Sequence, residues 1–215
     1  MTDPFRFYTR FYLSELTGLR ASNLPELLGL IKEASDSAIY HHTHRFLLQH
    51  QYLSPEPPND FAYWVTAALN EDRLGEKLAS IDTMRYLTIR ELREKIISTI
   101  ESYLKACPNS AKRYAPGDEV FYLLKCVSFV MPTAHVANDL REFVEVLKKI
   151  TIDSIYFHMF EARLRLERKT NDFSLWIESI GEKDLANKIL KLDPYTFTLE
   201  DLRKTLIQMV TKKIG

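Results

Sequence analysis

The sequence predicts an all-α protein made of two tandem, sequence-related helical modules of about four helices each, packed with pseudo-two-fold symmetry. Three observations support this prediction. The chain repeats itself at a fixed offset, apolar residues recur at helical spacing in both copies, and the 215 residues include only six glycines. All-β sandwiches and barrels need more glycine for their tight turns, so the composition favours helices.

The repeat emerges when Ile39 is set against Ile155, an offset of 116 residues, and that register is held. Further identical pairs follow in order along the chain: Phe5 and Phe121, Thr17 and Thr133, Ala21 and Ala137, Leu24 and Leu140, Tyr40 and Tyr156, His42 and His158. No residue type dominates these matches, which excludes low-complexity bias as their cause. We interpret the pattern as an internal duplication.

A shared motif extends the repeat beyond a connection that is shorter in the second copy. The segment Asn59-Asp60-Phe61-x-x-Trp64 matches Asn171-Asp172-Phe173-x-x-Trp176, so the only two tryptophans fall at equivalent positions. The sequence therefore predicts a first helical repeat over 5–104, a second over 121–214, and a connector over 105–120 with turn-forming proline and glycine.

Each copy opens with an aromatic-rich stretch, residues 5–13 and 121–130, whose period fits either a short extended segment or a helix. The polar pairs Ser22-Asn23 and Asn138-Asp139 then predict the start of an amphipathic helix. Apolar spacing extends these helices to about Gln51 and Arg168, with an interruption at residues 35–37 of the first copy left open.

Three further helices are expected in each copy. Asn59 and Asn171 are predicted N-caps, because a short acceptor side chain can bond the free amides of a first turn. A short helix follows near residues 74–81 and 185–192. Thr88 and Thr198 then predict the start of the last helix, each with an acidic residue three positions later.

Charge and composition narrow the classes of function. Lysine plus arginine and aspartate plus glutamate both number 29, and the pI is near 7.0, which argues against nucleic acid and anionic membranes as partners. The start of the chain does not resemble a signal peptide, and no apolar run is long enough for a membrane span. We expect a soluble, cytoplasmic protein in which Cys107 and Cys126 are reduced thiols.

A histidine cluster raises the question of a metal site. On a helix, His41 and His44 share a face, and the second copy offers His158 and Glu161 at the same spacing. Phe157 and Phe160, however, replace His41 and His44 in the second copy. We therefore predict no metal and no cofactor.

A duplicated stripe gives the candidate ligand-binding residues. In the first copy small residues are followed at helical spacing by His42 and Arg45, and in the second copy small residues are followed at the same spacing by His158 and Glu161. This pattern predicts that the two helices pack closely, with Arg45 and Glu161 meeting across a pseudo-two-fold axis. The residues proposed to bind a ligand are His42, His158, Arg45, Glu161, Tyr40 and Tyr156. The alternative is that the histidines are satisfied polar groups at a domain interface. No acid, nucleophile or metal set completes a catalytic group, so no catalytic residue is assigned.

The repeated layout resembles an uncharacterised prokaryotic family of unknown function. The resemblance rests on the aromatic lead, Ile39-Tyr40-x-His42, Asn59-Asp60-Phe61-x-x-Trp64 and the helix containing Leu92-Arg93, and covers nearly the whole chain. It implies a duplicated helical repeat and supplies no catalytic or ligand residues.

These observations favour a non-catalytic interaction or regulatory protein that binds an unidentified protein or small ligand between its two copies. The rival hypothesis is a small-molecule or metal-dependent enzyme that uses His42 and His158. A DNA-binding helix-turn-helix in the last helices of each copy is disfavoured by the neutral charge. Self-association into a homo-oligomer is left open.

Overall fold

Two long strands distinguish the structure from the all-α prediction. The computed structural model describes residues 3–49, 59–193, 196 and 198–215. Strands β1 (Phe5–Ala21) and β2 (Phe121–Ala137) pair in a two-stranded antiparallel sheet. Together with the helices they make an α+β fold, so the all-α prediction is wrong. The aromatic leads, for which the sequence left two possibilities open, are the first residues of the strands.

Helices fill the chain after each strand. Those after β1 are α1 (Leu24–Glu33), α2 (Asp36–Gln49), α3 (Asp60–Ala67), α4 (Asp72–Ala79) and α5 (Ile89–Ala106). Those after β2 are α6 (Leu140–Leu147), α7 (Ile152–Tyr156), α8 (Ala162–Leu166), α9 (Asp172–Ser179), α10 (Lys183–Leu190) and α11 (Leu199–Ile214). A π-helical turn, Phe157–Glu161, joins α7 to α8.

The predicted N-caps are confirmed. The side chain of Asn59 accepts a hydrogen bond from the amide of Ala62, and that of Asn171 accepts one from Ser174. Asn23 and Asp139 cap α1 and α6, and Thr88 and Thr198 cap α5 and α11. These caps form because each acceptor lies within three residues of the amide it satisfies.

The long helices predicted after the first caps are shorter in the structure. In the first copy α1 ends at Glu33 and α2 begins at Asp36. In the second copy α6 ends at Leu147, and Thr151 caps the separate helix α7 by accepting from the amide of Ser154. The interruption that the sequence left open at residues 35–37 is therefore present in the first copy, and the second copy has an equivalent one. Polar cap residues favour such a break because they compete with the helix for its backbone amides. Gln51 lies outside the described residues.

The chain divides into two structural units, and each strand contributes to both. The α1–α5 unit contains residues 12–49 and 59–127, and the α6–α11 unit contains residues 3–11 and 128–215 of the described chain. The start of β1 therefore packs in the α6–α11 unit, and the start of β2 packs in the α1–α5 unit. The sequence-based boundaries (5–104, 105–120 and 121–214) delimit repeats rather than these units, and they stay a prediction.

Each core is completed by the first residues of a strand. Phe121 and Leu123 of β2 are buried in the hydrophobic core of the α1–α5 unit, together with Phe61. In the α6–α11 unit Phe5 and Phe7 of β1 are buried, and the Phe5 ring lies 5.8 Å from that of Phe143. Arg6 and Tyr122, between the buried residues, are exposed. This alternation is the period-two pattern of a strand with one buried face.

Candidate functional site

His42 lies at the centre of the α1–α5 unit and fastens β2 to it. Its Nδ1 lies 2.7 Å from Oδ2 of Asp60, the first residue of α3, and the backbone amide of Leu124 donates to its Nε2 at 3.0 Å. An amide only donates, so Nε2 must accept and the proton of the neutral ring sits on Nδ1. His42 therefore donates to Asp60 and accepts from the strand.

His158 makes the same connections in the α6–α11 unit. Its Nδ1 lies 2.7 Å from Oδ2 of Asp172, and the amide of Tyr8 donates to its Nε2 at 2.8 Å. Burial lowers the pKa of His158, and this effect outweighs the hydrogen bond and charge of Asp172, which raise it. The ring is therefore neutral at pH 7, as the acceptor role of its Nε2 requires.

The tryptophans of the repeated motif hold the same strands at a second point. Nε1 of Trp64 donates to the carbonyl of Glu119 at 2.6 Å, and Nε1 of Trp176 donates to the carbonyl of Asp3 at 3.1 Å. The Asn-Asp-Phe-x-x-Trp motif thus begins a helix with its asparagine, orients a histidine with its aspartate and anchors a strand with its tryptophan. Sequence reasoning recognised the first of these roles only.

Equivalent contacts in the two units fall at equivalent positions of the repeat. Leu124 lies 116 residues after Tyr8, and Glu119 lies 116 residues after Asp3. Likewise Thr17 donates to the carbonyl of Leu123 at 2.7 Å, and Thr133 donates to that of Phe7 at 2.8 Å. The contacts agree with the repeat read from the sequence. The duplication itself stays a prediction.

These hydrogen bonds limit what the histidines can do chemically. An imidazole that acts as a general base must offer a lone pair to substrate, but Nε2 of His42 is occupied by Leu124 and its Nδ1 carries a proton directed at Asp60. A proton on Nε2 would take up the lone pair that accepts from Leu124 and so break the hydrogen bond to the strand. The geometry of each histidine is that of a strand anchor.

One group of potential metal ligands lies beside this anchor. Ligand atoms of His41, His42 and Asp60 lie within 4.8 Å of one another. Coordination through Nδ1 of a neutral His42 would move its proton to Nε2, which could then no longer accept from Leu124. Metal binding by His42 would therefore compete with strand docking.

The His41 and His44 pair, considered from the sequence as two ligands for one metal, has other neighbours. Nδ1 of His41 lies 3.4 Å from Sγ of Cys126, and Nδ1 of His44 lies 3.0 Å from Oγ1 of Thr43. Burial lowers the pKa of each histidine to about 4, and for His41 the neighbouring His42 and Arg45 act in the same direction. Both rings are thus neutral at pH 7.

The other predicted ligand residues lie near the histidine of their own unit. Arg45 donates to Oγ of Ser14 at 2.5 Å, whereas Glu161 pairs with Arg10 at 3.0 Å. Tyr40 stacks on His44 with ring centroids 5.3 Å apart. Tyr156 is buried, with its ring 5.5 Å from that of Phe160. A ligand site formed jointly by both copies stays a prediction.

A groove of about 640 Å³ opens beside His158 in the α6–α11 unit. It is lined mainly by aromatic and apolar side chains with four charged groups among them: Asp3, Pro4, Phe5, Arg6, Tyr8, Val130, Phe157, His158, Arg165, Asp172, Leu175, Trp176 and Ser179. Of the predicted site residues, His158 alone lines this groove. The other lining residues were missed, because Asp3–Tyr8 lie about 150 positions from the helices they meet.

Comparison with known proteins places the chain in a family. Residues 2–211 match a family described as a family of unknown function, DUF5752. The chain belongs to this family. The resemblance to a family of unknown function is thereby confirmed, whereas the duplicated helical repeat that it implies stays a prediction. No curated protein matches the chain.

A solved structure supports the corrected fold. The structure of OrfY from Thermoproteus tenax is similar to this chain, with a TM-score of 0.81 and 28% sequence identity, covering 98% of this chain and 95% of that one. Within the described ranges, none of the helices of this chain combines the length and apolar character that a bilayer span needs.

Proposed function

We propose that the protein is a non-catalytic binding protein whose ligand occupies the groove beside His158. The observation that carries this proposal is the groove itself, which has the volume and the mainly aromatic and apolar lining of a small-ligand site. The imidazole at its wall is engaged on both nitrogens by Tyr8 and Asp172. The same bonds disfavour the rival hypothesis of an enzyme with His42 and His158 as its acid–base groups.

The charged groups of the groove suggest the class of ligand. Arg165 lies with its guanidinium carbon 4.7 Å from the centroid of the Phe157 ring and pairs with Asp172 at 2.5 Å. The carboxylate of Asp172 therefore faces two donors, Arg165 and His158. Arg6 adds a second guanidinium at the exposed side. Guanidinium groups bind carboxylate and phosphate oxygens in pairs, so the groove suits a flat apolar body with an anionic end.

The residues that give the groove this character are not repeated at the equivalent positions of the α1–α5 unit. Arg6 is matched by Tyr122, Phe157 by His41, and Arg165 by Gln49. Leu175, 38% exposed at the groove, is matched by Tyr63, which is 51% exposed on α3. The α6–α11 unit therefore carries the binding chemistry, and the α1–α5 unit offers matched control positions.

The proposal is tested by titrating the protein with 1-anilinonaphthalene-8-sulfonate, which combines an apolar aromatic body with a sulfonate. We expect saturable binding of one dye per chain. Leu175→Glu should weaken it at least about tenfold, because a carboxylate would replace an apolar side chain at the groove and repel the sulfonate.

Tyr63→Glu is the control, since it places the same charge at the equivalent position of the α1–α5 unit. It should leave the affinity within about twofold of the parent. Equal affinity of the dye for the parent and for Leu175→Glu would refute the groove as the binding site. Equal weakening by both variants would show that the dye responds to charge anywhere on the surface.

A further inference from the structure

A second groove, of about 490 Å³, lies in the α1–α5 unit. Its walls are the end of α4, the 3₁₀ turn Thr83–Arg85 and one face of α5. Most of its lining side chains are charged or carry a hydroxyl group, and Ile81 is the apolar exception. This α4–α5 groove is therefore polar, whereas the groove beside His158 is mainly aromatic and apolar.

The α4–α5 groove carries a surplus of positive charge. Lys77, Arg85 and Lys95 line it together with the carboxylate of Asp82. Both oxygens of that carboxylate are engaged, because Oδ1 accepts from the amide of Met84 at 3.0 Å and Oδ2 pairs with Nε of Arg85 at 3.2 Å. Neither lysine forms an ion pair with a residue that the structure describes. Their two charges are therefore available to an anion in the groove.

Hydroxyl groups of α5 line the same groove. Ser98, Thr99 and Ser102 follow Lys95 by three, four and seven residues, so the four side chains share one face of the helix over roughly 10 Å. The hydroxyls of Ser98 and Thr99 donate to the carbonyl of Lys95 at 2.9 Å and 2.8 Å. Since their protons are engaged there, the oxygen lone pairs of these two hydroxyls can accept from hydroxyl groups of a ligand.

Tyr86 adds a hydrogen-bond donor to the lining. Burial raises the pKa of its phenol, an effect that the charge of Arg85 opposes and the charges of Asp82 and Glu91 support. The phenol is therefore protonated at pH 7, and its O–H can donate to an oxyanion.

We propose that the α4–α5 groove binds a small molecule that carries both a phosphate group and hydroxyl groups. A phosphate monoester has about 1.5 to 2 negative charges at pH 7, which match the charges of Lys77 and Lys95. The hydroxyl groups of the ligand donate to the oxygens of Ser98 and Thr99. The volume of the groove leaves room for more than a phosphate ion. This site is independent of the groove beside His158, which lies in the other unit.

The α6–α11 unit supplies a matched control position. When Leu74 is set against Leu185, Lys77 is matched by Lys188, which is likewise exposed. When Thr88 is set against Thr198, by contrast, the groove residue Lys95 is matched by a threonine. The lysine of α4 therefore has an equivalent in the α6–α11 unit, and the lysine of α5 does not.

The proposal is tested by isothermal titration calorimetry with ribose 5-phosphate, inorganic phosphate and ribose. We expect one ribose 5-phosphate to bind per chain, at least about tenfold more tightly than inorganic phosphate, and ribose to give no measurable binding. Lys77→Gln and Lys95→Gln should each weaken the binding of ribose 5-phosphate about tenfold, because each removes a charge that pairs with the phosphate. Lys188→Gln should stay within about twofold of the parent.

The hydroxyl part of the proposal has its own variant, Thr99→Val, which removes an oxygen acceptor with little change of shape. It should weaken ribose 5-phosphate and leave the affinity for inorganic phosphate unchanged. No saturable binding of ribose 5-phosphate up to about 10 mM overturns the proposal, and so does equal weakening by Lys77→Gln and Lys188→Gln. Equal affinities for ribose 5-phosphate and inorganic phosphate would reject the hydroxyl contacts and with them the proposed class of ligand.

Discussion

Replacing His158 by asparagine and by glutamine separates the two hydrogen bonds that this residue makes. The terminal amide of glutamine reaches the position of Nε2, so its oxygen can accept from the amide of Tyr8. The shorter asparagine reaches only the position of Nδ1, so it can donate to Asp172 but leaves Tyr8 without an acceptor. The difference between the variants therefore compares the strand anchor with the bond to Asp172, whose carboxylate keeps Arg165 as a second donor.

The magnitude follows from what each variant loses. Both lose the imidazole ring, whose centroid lies 5.0 Å from that of Phe5 and 5.3 Å from that of Phe173, a loss of about 1 kcal/mol. Asparagine also leaves the half-buried amide of Tyr8 without a hydrogen-bond acceptor, which costs about 1–2 kcal/mol more. Glutamine instead loses the bond to Asp172, which costs about 0.5 kcal/mol because Arg165 still donates to that carboxylate. We expect His158→Asn to lower the free energy of unfolding by about 2–3 kcal/mol and His158→Gln by about 1.5 kcal/mol.

Urea unfolding at pH 7.5 gives the stability of each variant, and hydrogen exchange of the Tyr8 amide locates the effect. Exchange at Tyr8 should quicken in His158→Asn and stay close to the parent in His158→Gln. His42→Asn and His42→Gln form the matched pair for Leu124 in the other unit. If asparagine and glutamine are equally destabilising at both histidines, the backbone hydrogen bond is not what the histidines supply, and the anchor account fails.

Three further predictions concern acid, packing and capping. Because burial lowers the pKa values of His41 and His44 from 6.5 to about 4, their stabilising contribution should be fully present above about pH 6.5. It should fall by about 2 kcal/mol per histidine at pH 5, and an unchanged urea midpoint between pH 7 and pH 5 would contradict this. An added Cβ at Gly75 would lie 1.9 Å from Oγ1 of Thr66. Gly75→Ala should therefore lower stability by about 1–2 kcal/mol, most of it recovered in thermal melts by adding Thr66→Ala, and a failure to recover would point to another cause. Asn171→Ala removes the N-cap of α9 and should lower the free energy of unfolding by about 1 kcal/mol, while Asn171→Asp should stay near the parent. Equal melting temperatures of the parent and both variants would show that the cap does not contribute to stability.

Sequence reasoning succeeded where the physical cause is local. Asn59 and Asn171 cap their helices because the amides they satisfy lie three residues away. The apolar spacing after each cap predicted α1 and α6 for the same reason, since their buried residues recur once per turn. Short-range geometry of this kind can be predicted from neighbouring residues in the sequence.

It failed for the strands because their partners are distant in sequence. A tight hairpin needs glycine, but helices α1–α5 lie between β1 and β2 along the chain, so the low glycine count did not exclude the strands. Burial alternates only at the first residues of each strand, around Phe5 and Phe121, and the central residues are largely exposed. The period was therefore too short to separate a strand from a helix.

The candidate site was predicted only in part for a related reason. His42 and His158 were identified because they are repeated, but their partners Asp60 and Asp172 were read only as helix starts. A capping asparagine followed by an aspartate is already explained as the start of a helix. Nothing in the neighbouring residues shows that the aspartate also faces a histidine 14 to 18 positions earlier. The contact between Cys126 and His41 spans 85 positions and left no trace in the sequence pattern.

The way each strand serves both units affects how the protein is made. Phe5 and Phe7 leave the ribosome well before the helices that bury them, which follow about 150 residues later, the separation between Tyr8 and His158. At typical translation rates this corresponds to roughly 10–30 s. The nascent chain must therefore keep an aromatic segment in solution until the second half of its own sequence arrives. Expression yield should accordingly respond more strongly to chaperone supply and to translation speed than the stability of the finished protein would suggest.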